Sequence, residues 1–425
     1  MSSANAHTPN KPSILAQARR DDANRYIARH AYTDLPELPS VDPRLGLVLV
    51  IPAMAEPDIL EPLQSLADCA APDCMVEIIV VINLPDDATE EKRDLTSSSL
   101  DDARRWAAGA GVNGLRCHVL DYSELPARHA SVGLARKLGM DVALMRLAAS
   151  ASGSGVIASL DADCQVDSDY LQAIEQAYQS DREMVGATVY FEHPVEKTEA
   201  ALRPAIIDYE THLRCYKQGV EAAGSAYARH TVGSALTVRS KIYAQEGGMN
   251  RRTAGEDFYF INKLMKRGRV GEINSTTVYP SARMSRRVPF GTGAAMWQRQ
   301  DSEQLSYAPA GYLKLRDFQG ALLDRVLRNQ PMAPEFSPFV KTSALNNWLR
   351  KMQSNVASEA AAETQLTRWF DGFRVMKFLN WLSESAHPKV PVRVAAREIL
   401  AWRDESVDGD AMAILNALRA ADRCA

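Results

Sequence analysis

The residues best placed for chemistry are two carboxylates, Asp161 and Asp163, which stand two positions apart behind the apolar run Val156-Ile157-Ala158-Ser159-Leu160. Such a run reads as a buried strand, and acids at its end point into the crevice where open α/β sheets collect ligands. Two anions this close repel unless a cation lies between or beside them. Mg²⁺ or Mn²⁺ suits hard oxygen donors of this kind and often shares one or two carboxylates with substrate phosphates. The plainer reading is capping of a helix expected from Ser168. Asp167 and Ser168 already supply that start signal, so the pair at 161 and 163 is left for another task.

Two further clusters carry charge in useful patterns. In Thr253-Ala254-Gly255-Glu256-Asp257-Phe258, the spacing of Thr253 and Glu256 is that of a capping box, with an apolar-periodic helix behind it. The box accounts for Glu256 and not for Asp257. A first-turn carboxylate stays ionised beside the helix dipole and could take a proton from a hydroxyl. Plain dipole complementarity is the alternative. Arg283, Arg286 and Arg287 precede Pro289, Gly291 and Gly293. They read either as a segment that closes over phosphate oxygens or as a solvated basic turn. His230, ahead of the run Gly233 to Arg239, could touch an acceptor or metal, though a histidine at a strand end is more often structural.

The elements that must hold these groups follow from the alternation of the chain. Apolar runs at Leu45–Ile51, Val76–Ile82, Leu115–Leu120 and Val156–Leu160 alternate with helical stretches at Asp58–Leu66, Leu100–Ala108, Ser131–Leu147 and Ser168–Tyr178. Such βαβ alternation implies an α/β domain, Rossmann-like, with a mostly parallel sheet and helices on both faces. Residues 1–44 read as an N-terminal helical arm and proline-punctuated linker, 45–300 as the ligand-handling domain, and 301–425 as a helical C-terminal domain. In the last, Trp348, Trp369, Trp381 and Trp402 read first as core and second as an acceptor-binding or self-association face, a route to a homo-oligomer.

At 425 residues the chain exceeds one compact core of average size. A net charge of −4 carries no nucleic-acid or membrane footprint. No apolar run approaches the roughly 20 residues of a membrane span, and the polar N-terminus lacks a secretory core. Six cysteines at irregular spacing suit a reducing compartment, so a cytoplasmic location is expected.

Read in order, the motifs resemble family 2 glycosyltransferases of the GT-A fold over about residues 45 to 295. Val50-Ile51-Pro52-Ala53-Met54-Ala55-Glu56 is similar to that family's opening V-I-P-x-x-N-E. Gly133-Leu134-Ala135-Arg136-Lys137-Leu138-Gly139 looks like its A-R-N-x-G helix, and Asp161-Ala162-Asp163 like its D-x-D. Gly233 to Arg239 is similar to its acceptor-side strand and Gly255-Glu256-Asp257 to its E-D motif, while Arg283 to Arg287 matches its later arginine motif in part. Ala55, Asn83 and Lys137 depart from the usual Asn, acid and Asn. The missing later tryptophan and transmembrane helices speak against a polysaccharide synthase.

The resemblance implies a metal-dependent enzyme that moves a sugar from a UDP- or GDP-linked donor to an acceptor hydroxyl, with inversion. Pro52, Glu56 and Asn83 would line the base and ribose pocket, with Arg136, Arg283, Arg286 and Arg287 on the donor side. Asp161 would contact ribose or sugar and share Mn²⁺ or Mg²⁺ with Asp163, and Asp257 would be the general base. Two rivals stand beside it. One is a haloacid-dehalogenase phosphatase, whose D-x-D opens the domain and precedes Thr or Ser where Cys164 and Gln165 stand here. The other is an inactive nucleotide-sugar sensor or scaffold, which has no use for a base at Asp257.

Overall fold

The computed structural model describes residues 14–109, 115–283, 292, 293, 296, 303–342, 345–355, 358–404 and 407–424. The chain forms two compact units, Met1–Ala187 with Gly233–Glu256, and Thr188–Val232 with Asp257–Ala425.

The first unit holds α1 (Ile14–His30), β1 (Leu45–Ala53), α2 (Leu60–Ala67), β2 (Met75–Pro85), α3 (Glu90–Gly109), β3 (Leu115–Leu125), α4 (Val132–Ala149), β4 (Val156–Ser159), β5 (Cys164–Val166) and α5 (Tyr170–Ser180). Strands β3, β2, β1 and β4 lie side by side, all parallel, as their apolar runs imply. β6 (Gly186–Phe191) then leads out of this unit, and β7 (Leu236–Arg239) returns to pair antiparallel with β4, placing Leu236 opposite Ser159. α7 (Ser240–Gln245) follows, and this unit ends at Glu256, the first residue of α8 (Glu256–Arg267). The expected fold class, a GT-A-like, mostly parallel α/β sheet with a helical C-terminal region, is the one observed.

Helix α4 is buried along nearly its whole length. It lies directly on the sheet because Gly139 has no side chain: a Cβ there would stand 2.3 Å from Val50 Cγ1 and 2.9 Å from Val81 Cγ2. Burial on all sides forces its charged residues to find partners. Arg146 grips Glu77 of β2 at 2.7 and 2.6 Å, which explains how an acid is tolerated inside a buried strand. Burial alone would raise the Glu77 carboxyl, but Arg146 and His118 outweigh it and hold it below its usual range. Lys137 pairs with Asp141 at 2.9 Å and donates to Tyr26 Oη of α1. Tyr26 and Tyr243 both donate to Asp141 Oδ1, at 2.8 and 2.7 Å. The lysine that departs from the motif is therefore the anchor for the N-terminal helix.

In the second unit, β6 neighbours β8 (Val270–Pro280), and α6 (Arg203–Ala222) packs among helices that follow residue 300. These are α9 (Pro309–Arg328), α10 (Ser337–Thr342), α11 (Leu345–Asn355), α12 (Glu359–Trp369), α13 (Gly372–Ser385), α14 (Val392–Ala401) and α15 (Ala411–Arg423). One β element interrupts them, the two-residue ribbon β9 (Leu305–Ser306) with β10 (Val390–Pro391), too short to show a period in sequence. Phe318 and Phe378 stack at 4.5 Å at the centre, and Trp348 and Trp369 stack at 4.7 Å against the same core, joined by Trp381 and Trp402. The core reading of the tryptophans thus matches their packing.

Candidate active site

Strand β4 ends at Ser159, and Asp161 and Asp163 lie in the turn that leads into β5. Arg136 of α4 reaches this turn from below. Its guanidinium, 2% exposed, donates Nε to Ser159 Oγ at 2.8 Å and pairs through its two terminal nitrogens with Asp161 and with Glu256. The pocket for this fork is cut by a glycine. A Cβ on Gly233 would stand 2.8 Å from one terminal nitrogen of Arg136 and 3.0 Å from its central carbon. Gly133 plays the same part at the start of α4, where a Cβ would meet the Arg252 carbonyl oxygen at 2.2 Å. Strand end, helix and the Asn250–Glu256 segment are thereby locked together by one buried cation.

This changes two expectations. The Asp161–Asp163 pair has a protein counter-charge, Arg136, so its coexistence does not by itself require a metal. Glu256 is not a capping-box acid. It is 3% exposed and spends its carboxylate on Arg136, while Asn250 Nδ2 donates to its carbonyl at 3.0 Å. Helix α5 begins at Tyr170 after Asp169, whose side chain makes no capping bond, and the Tyr170 N–H donates to the Asp167 carbonyl at 3.1 Å.

Asp161 is the open end of the cluster, its side chain 37% exposed. Asp163 is half-buried, and its Oδ1 accepts from the Cys164 thiol at 3.7 Å. Burial raises that thiol far above its ordinary range, with both aspartates adding to the effect, so Cys164 stays protonated. Among the described residues no three His, Cys, Asp or Glu side chains converge as a ready-made metal cage. The donor set nevertheless fits Mg²⁺ or Mn²⁺, which bind through one or two carboxylates with phosphate oxygens and water completing the shell.

The remaining expected residues divide between the units. Pro52 lies in β1 opposite Val81, and Asn83 lies in β2 opposite Tyr122, within the strands and not after them. Asn83 is 1% exposed, and its Nδ2 has no hydrogen-bond partner among the described residues. Glu56 is 3% exposed, and its carbonyl accepts from Ser99 Oγ at 2.6 Å. Ala55 beside it holds φ 47°, a left-handed conformation unusual for alanine. Pro52, Glu56, Asn83, Arg136, Asp161 and Asp163 all belong to the first unit, and Arg136 and Asp161 are joined directly.

Asp257, the next residue after Glu256, opens the second unit's share of α8, where its Oδ1 accepts from the Phe258 N–H at 2.7 Å. Arg283 also belongs to the second unit, half-buried, while Arg286 and Arg287 lie outside the described residues. His230 pairs with Asp422 at 2.9 Å inside the second unit, which gives it a structural employment. Ser159, Gly233 and Glu256 were not singled out as partners of Arg136. Nothing in their local spacing shows it, because the contact joins positions 136, 159 and 256.

No family model matches the sequence, and no curated protein matches it. Among solved structures, the chain is similar to residues 1–349 of TarS from S. aureus in complex with UDP-GlcNAc, at 14% identity and TM-score 0.38, covering 78% of this chain and 92% of that one. It is similar also to the mannosyltransferase PcManGT from Pyrobaculum calidifontis in complex with GDP-Man and Mn²⁺, at 14% identity and TM-score 0.35, covering 96% and 94%. Against the longer TarS structure it spans 37% of that chain's length. At these scores the likenesses assign no activity. No described helix is long and apolar enough to cross a membrane.

Proposed function

We propose that the protein is a glycosyltransferase of the family 2 type, moving a sugar from a UDP- or GDP-linked donor to an acceptor hydroxyl with inversion. The observation that carries this reading is the Arg136 cluster. It holds one carboxylate of a D-x-D turn at a strand's carboxyl end, and ties that turn to the residue just before Asp257.

In this reading residues 45–300 handle the donor, the arm 1–44 anchors them, and 301–425 supplies the helical remainder. Asn83 Nδ2, buried without an acceptor among the described residues, donates to a carbonyl of the base, and Pro52 and Glu56 complete the base and ribose pocket. Asp161, oriented by Arg136, contacts ribose or sugar. Asp163 is the ligand for Mg²⁺ or Mn²⁺, which when bound offsets the negative charge that grows on the departing diphosphate. The family resemblance assigns Arg283, Arg286 and Arg287 to the same phosphates. Asp257 removes the proton from the acceptor hydroxyl as its oxygen bonds to the anomeric carbon, giving inversion in one displacement. Six free cysteines accord with a cytoplasmic setting.

A thermal-shift panel of UDP, GDP and their sugars, with and without Mn²⁺, tests the donor half of this reading. One nucleoside diphosphate is expected to stabilise the protein with metal present, and Asp163→Ala to abolish the effect. Equal stabilisation without metal removes Asp163 from its role. Donor-sugar hydrolysis then tests the other half: wild type turns over, and Asp257→Ala binds without turnover. Binding in both with turnover in neither would make the protein a nucleotide-sugar binder.

A further inference from the structure

The opposite end of the first unit's sheet carries a feature that donor handling does not use. Two adjoining clefts, of about 520 and 930 Å³, open beside the amino-terminal ends of β1 and β4, and both are lined by Arg19, Ser240 and Lys241. Helices α1 and α7 wall the first cleft and α5 walls the second. Six cations line the pair: Arg19, Arg25, Arg29, Arg182, Arg239 and Lys241. One of them, Arg25, has a carboxylate partner, Asp22. Arg19 donates to the Ser152 carbonyl at 2.7 Å and to Ser154 Oγ at 3.0 Å. Arg239 donates to the carbonyls of Tyr178, Asp181 and Met184 and lies over the Tyr178 ring. Arg29, Arg182 and Lys241 make no hydrogen bond or ion pair with any described residue.

Three carboxylates in the walls stand against these six cations and leave an excess of positive charge. Besides Asp22 they are Glu246 and Glu175, and Glu175 is taken up by the backbone N–H groups of Asp73 and Cys74 at 2.8 and 2.9 Å. The excess of cations is local, since the whole chain carries −4. Arginine forks set among the hydroxyls of Ser152, Ser154 and Ser240 are the groups that grip phosphate oxygens. Arg19, Arg25 and Arg29 stand along α1 beside Asp21 and Asp22, and with Arg182, Arg239 and Lys241 they line two adjoining hollows.

We propose that this double cleft is a second binding site, for a soluble ligand bearing two or more phosphoryl groups. The site is distinct from the donor pocket, because the five residue steps of β1 from Leu47 to Pro52 put about 17 Å between the two. It does not depend on the glycosyl-transfer reading. Arg29 and Lys241 face the first cleft, and Arg182 and Arg239 the second, so the ligand's charged groups are spaced across both.

Titration calorimetry of the full chain with inorganic tripolyphosphate, in metal-free buffer, tests the site. Saturable binding is expected, at least tenfold weaker in Arg29→Ser/Lys241→Ser and unchanged in Asp163→Ala. The control Lys92→Ser/Arg105→Ser removes the same charge from exposed positions of α3 and is expected to bind as wild type does. Three results overturn the proposal: no binding by wild type, an equal loss in the control, or loss with Asp163→Ala. Co-sedimentation with phosphatidylserine vesicles separates the other source of the same chemistry. If wild type pellets, the Arg29/Lys241 variant does not, and tripolyphosphate fails to compete, the face reads lipid headgroups and the soluble-ligand site is lost.

Discussion

Each unit contains a cluster of buried charge, and the two clusters are built differently. In the second unit, Glu210 of α6 accepts from Arg214 at 2.9 and 2.7 Å, from Arg419 of α15 at 2.8 Å through two nitrogens, and from His193 at 3.0 Å. Arg214 also pairs with Asp422 at 2.7 Å, and Lys217 lies 3.5 Å from the same acid. No charged side chain of this set, from Glu210 to Arg419, is more than 10% exposed. In the first unit the Arg136 cluster is equally buried at its centre but ends on Asp161, 37% exposed. A cluster whose central charges face inward, with a rim that reaches Glu221 through Lys217 and Glu192 through Arg419, joins the last helix to its unit. A cluster with one end open to solvent holds a carboxylate ready for something that arrives from solvent.

Breaking the closed cluster is expected to have the largest effect. Glu210→Ala leaves Arg214 and Arg419 buried beside each other without their shared acid, at a cost of about 3–5 kcal/mol. Trp348, Trp369, Trp381 and Trp402 all lie against the second unit's core, so in a Trp106→Phe background, which removes the tryptophan of α3, a urea titration followed by tryptophan fluorescence reads that unit. A loss below about 1 kcal/mol would mean that the cluster is solvated and that the contrast with Arg136 is empty.

Acid acts on the same cluster more gently. Burial would raise the carboxyls of Glu210 and Asp422, but Arg214, the histidines and, for each acid, Arg419 or Lys217 outweigh it and hold both below their ordinary range. A carboxyl depressed in the folded state adds stability that is complete above its unfolded pKa and is lost as pH falls through its folded one. The second unit's urea midpoint is therefore expected to stay level in this contribution from pH 7 to about 5, and to fall only below about 4. A Glu210→Gln variant that falls along the same curve would remove Glu210 from the account.

Opening the other cluster should separate binding from stability. Arg136→Lys keeps a charge but loses the fork that serves Ser159, Asp161 and Glu256 together. A stability loss of about 1–2 kcal/mol is expected, with donor nucleotide affinity down at least tenfold because Asp161 loses its orientation. Equal loss of stability with donor affinity unchanged would reduce Arg136 to a second structural clamp.

How much of this was legible follows from the range of each interaction. The parallel strands and α4 could be read because their apolar runs are long and alternate along the chain between short and helix-length stretches. Asp161, Asp163 and Arg136 stood out through local motifs. The partnership among Arg136, Asp161 and Glu256 could not be seen, since a contact over 120 positions leaves no local pattern, and Glu256 also satisfied the spacing of a capping box. Lys137 looked like a defect in a motif until α1 brought Tyr26 against it. Glu77 in a strand was tolerable because Arg146 of α4, with His118, pairs with it directly.

The smallest effect tests the backbone on either side of the site. Ala55, just after β1, holds φ 47°, and Gly255, just before α8, holds φ 71°. The same left-handed conformation is thus carried by the wrong residue at one end and the right one at the other. Ala55→Gly removes a Cβ–carbonyl clash worth about 1 kcal/mol, less the extra freedom glycine brings to the unfolded chain, for a net gain of about 0.5 kcal/mol. Gly255→Ala is expected to lose about 0.5–1 kcal/mol, and the loss is conformational alone, since a Cβ there meets nothing within 4 Å. Both are read as shifts in the first unit's melting temperature. Opposite signs would show that the Ala55 turn is held by its surroundings against local preference and the Gly255 turn with it; a loss from Ala55→Gly would show that the alanine methyl, 9% exposed, packs well enough to offset its strain.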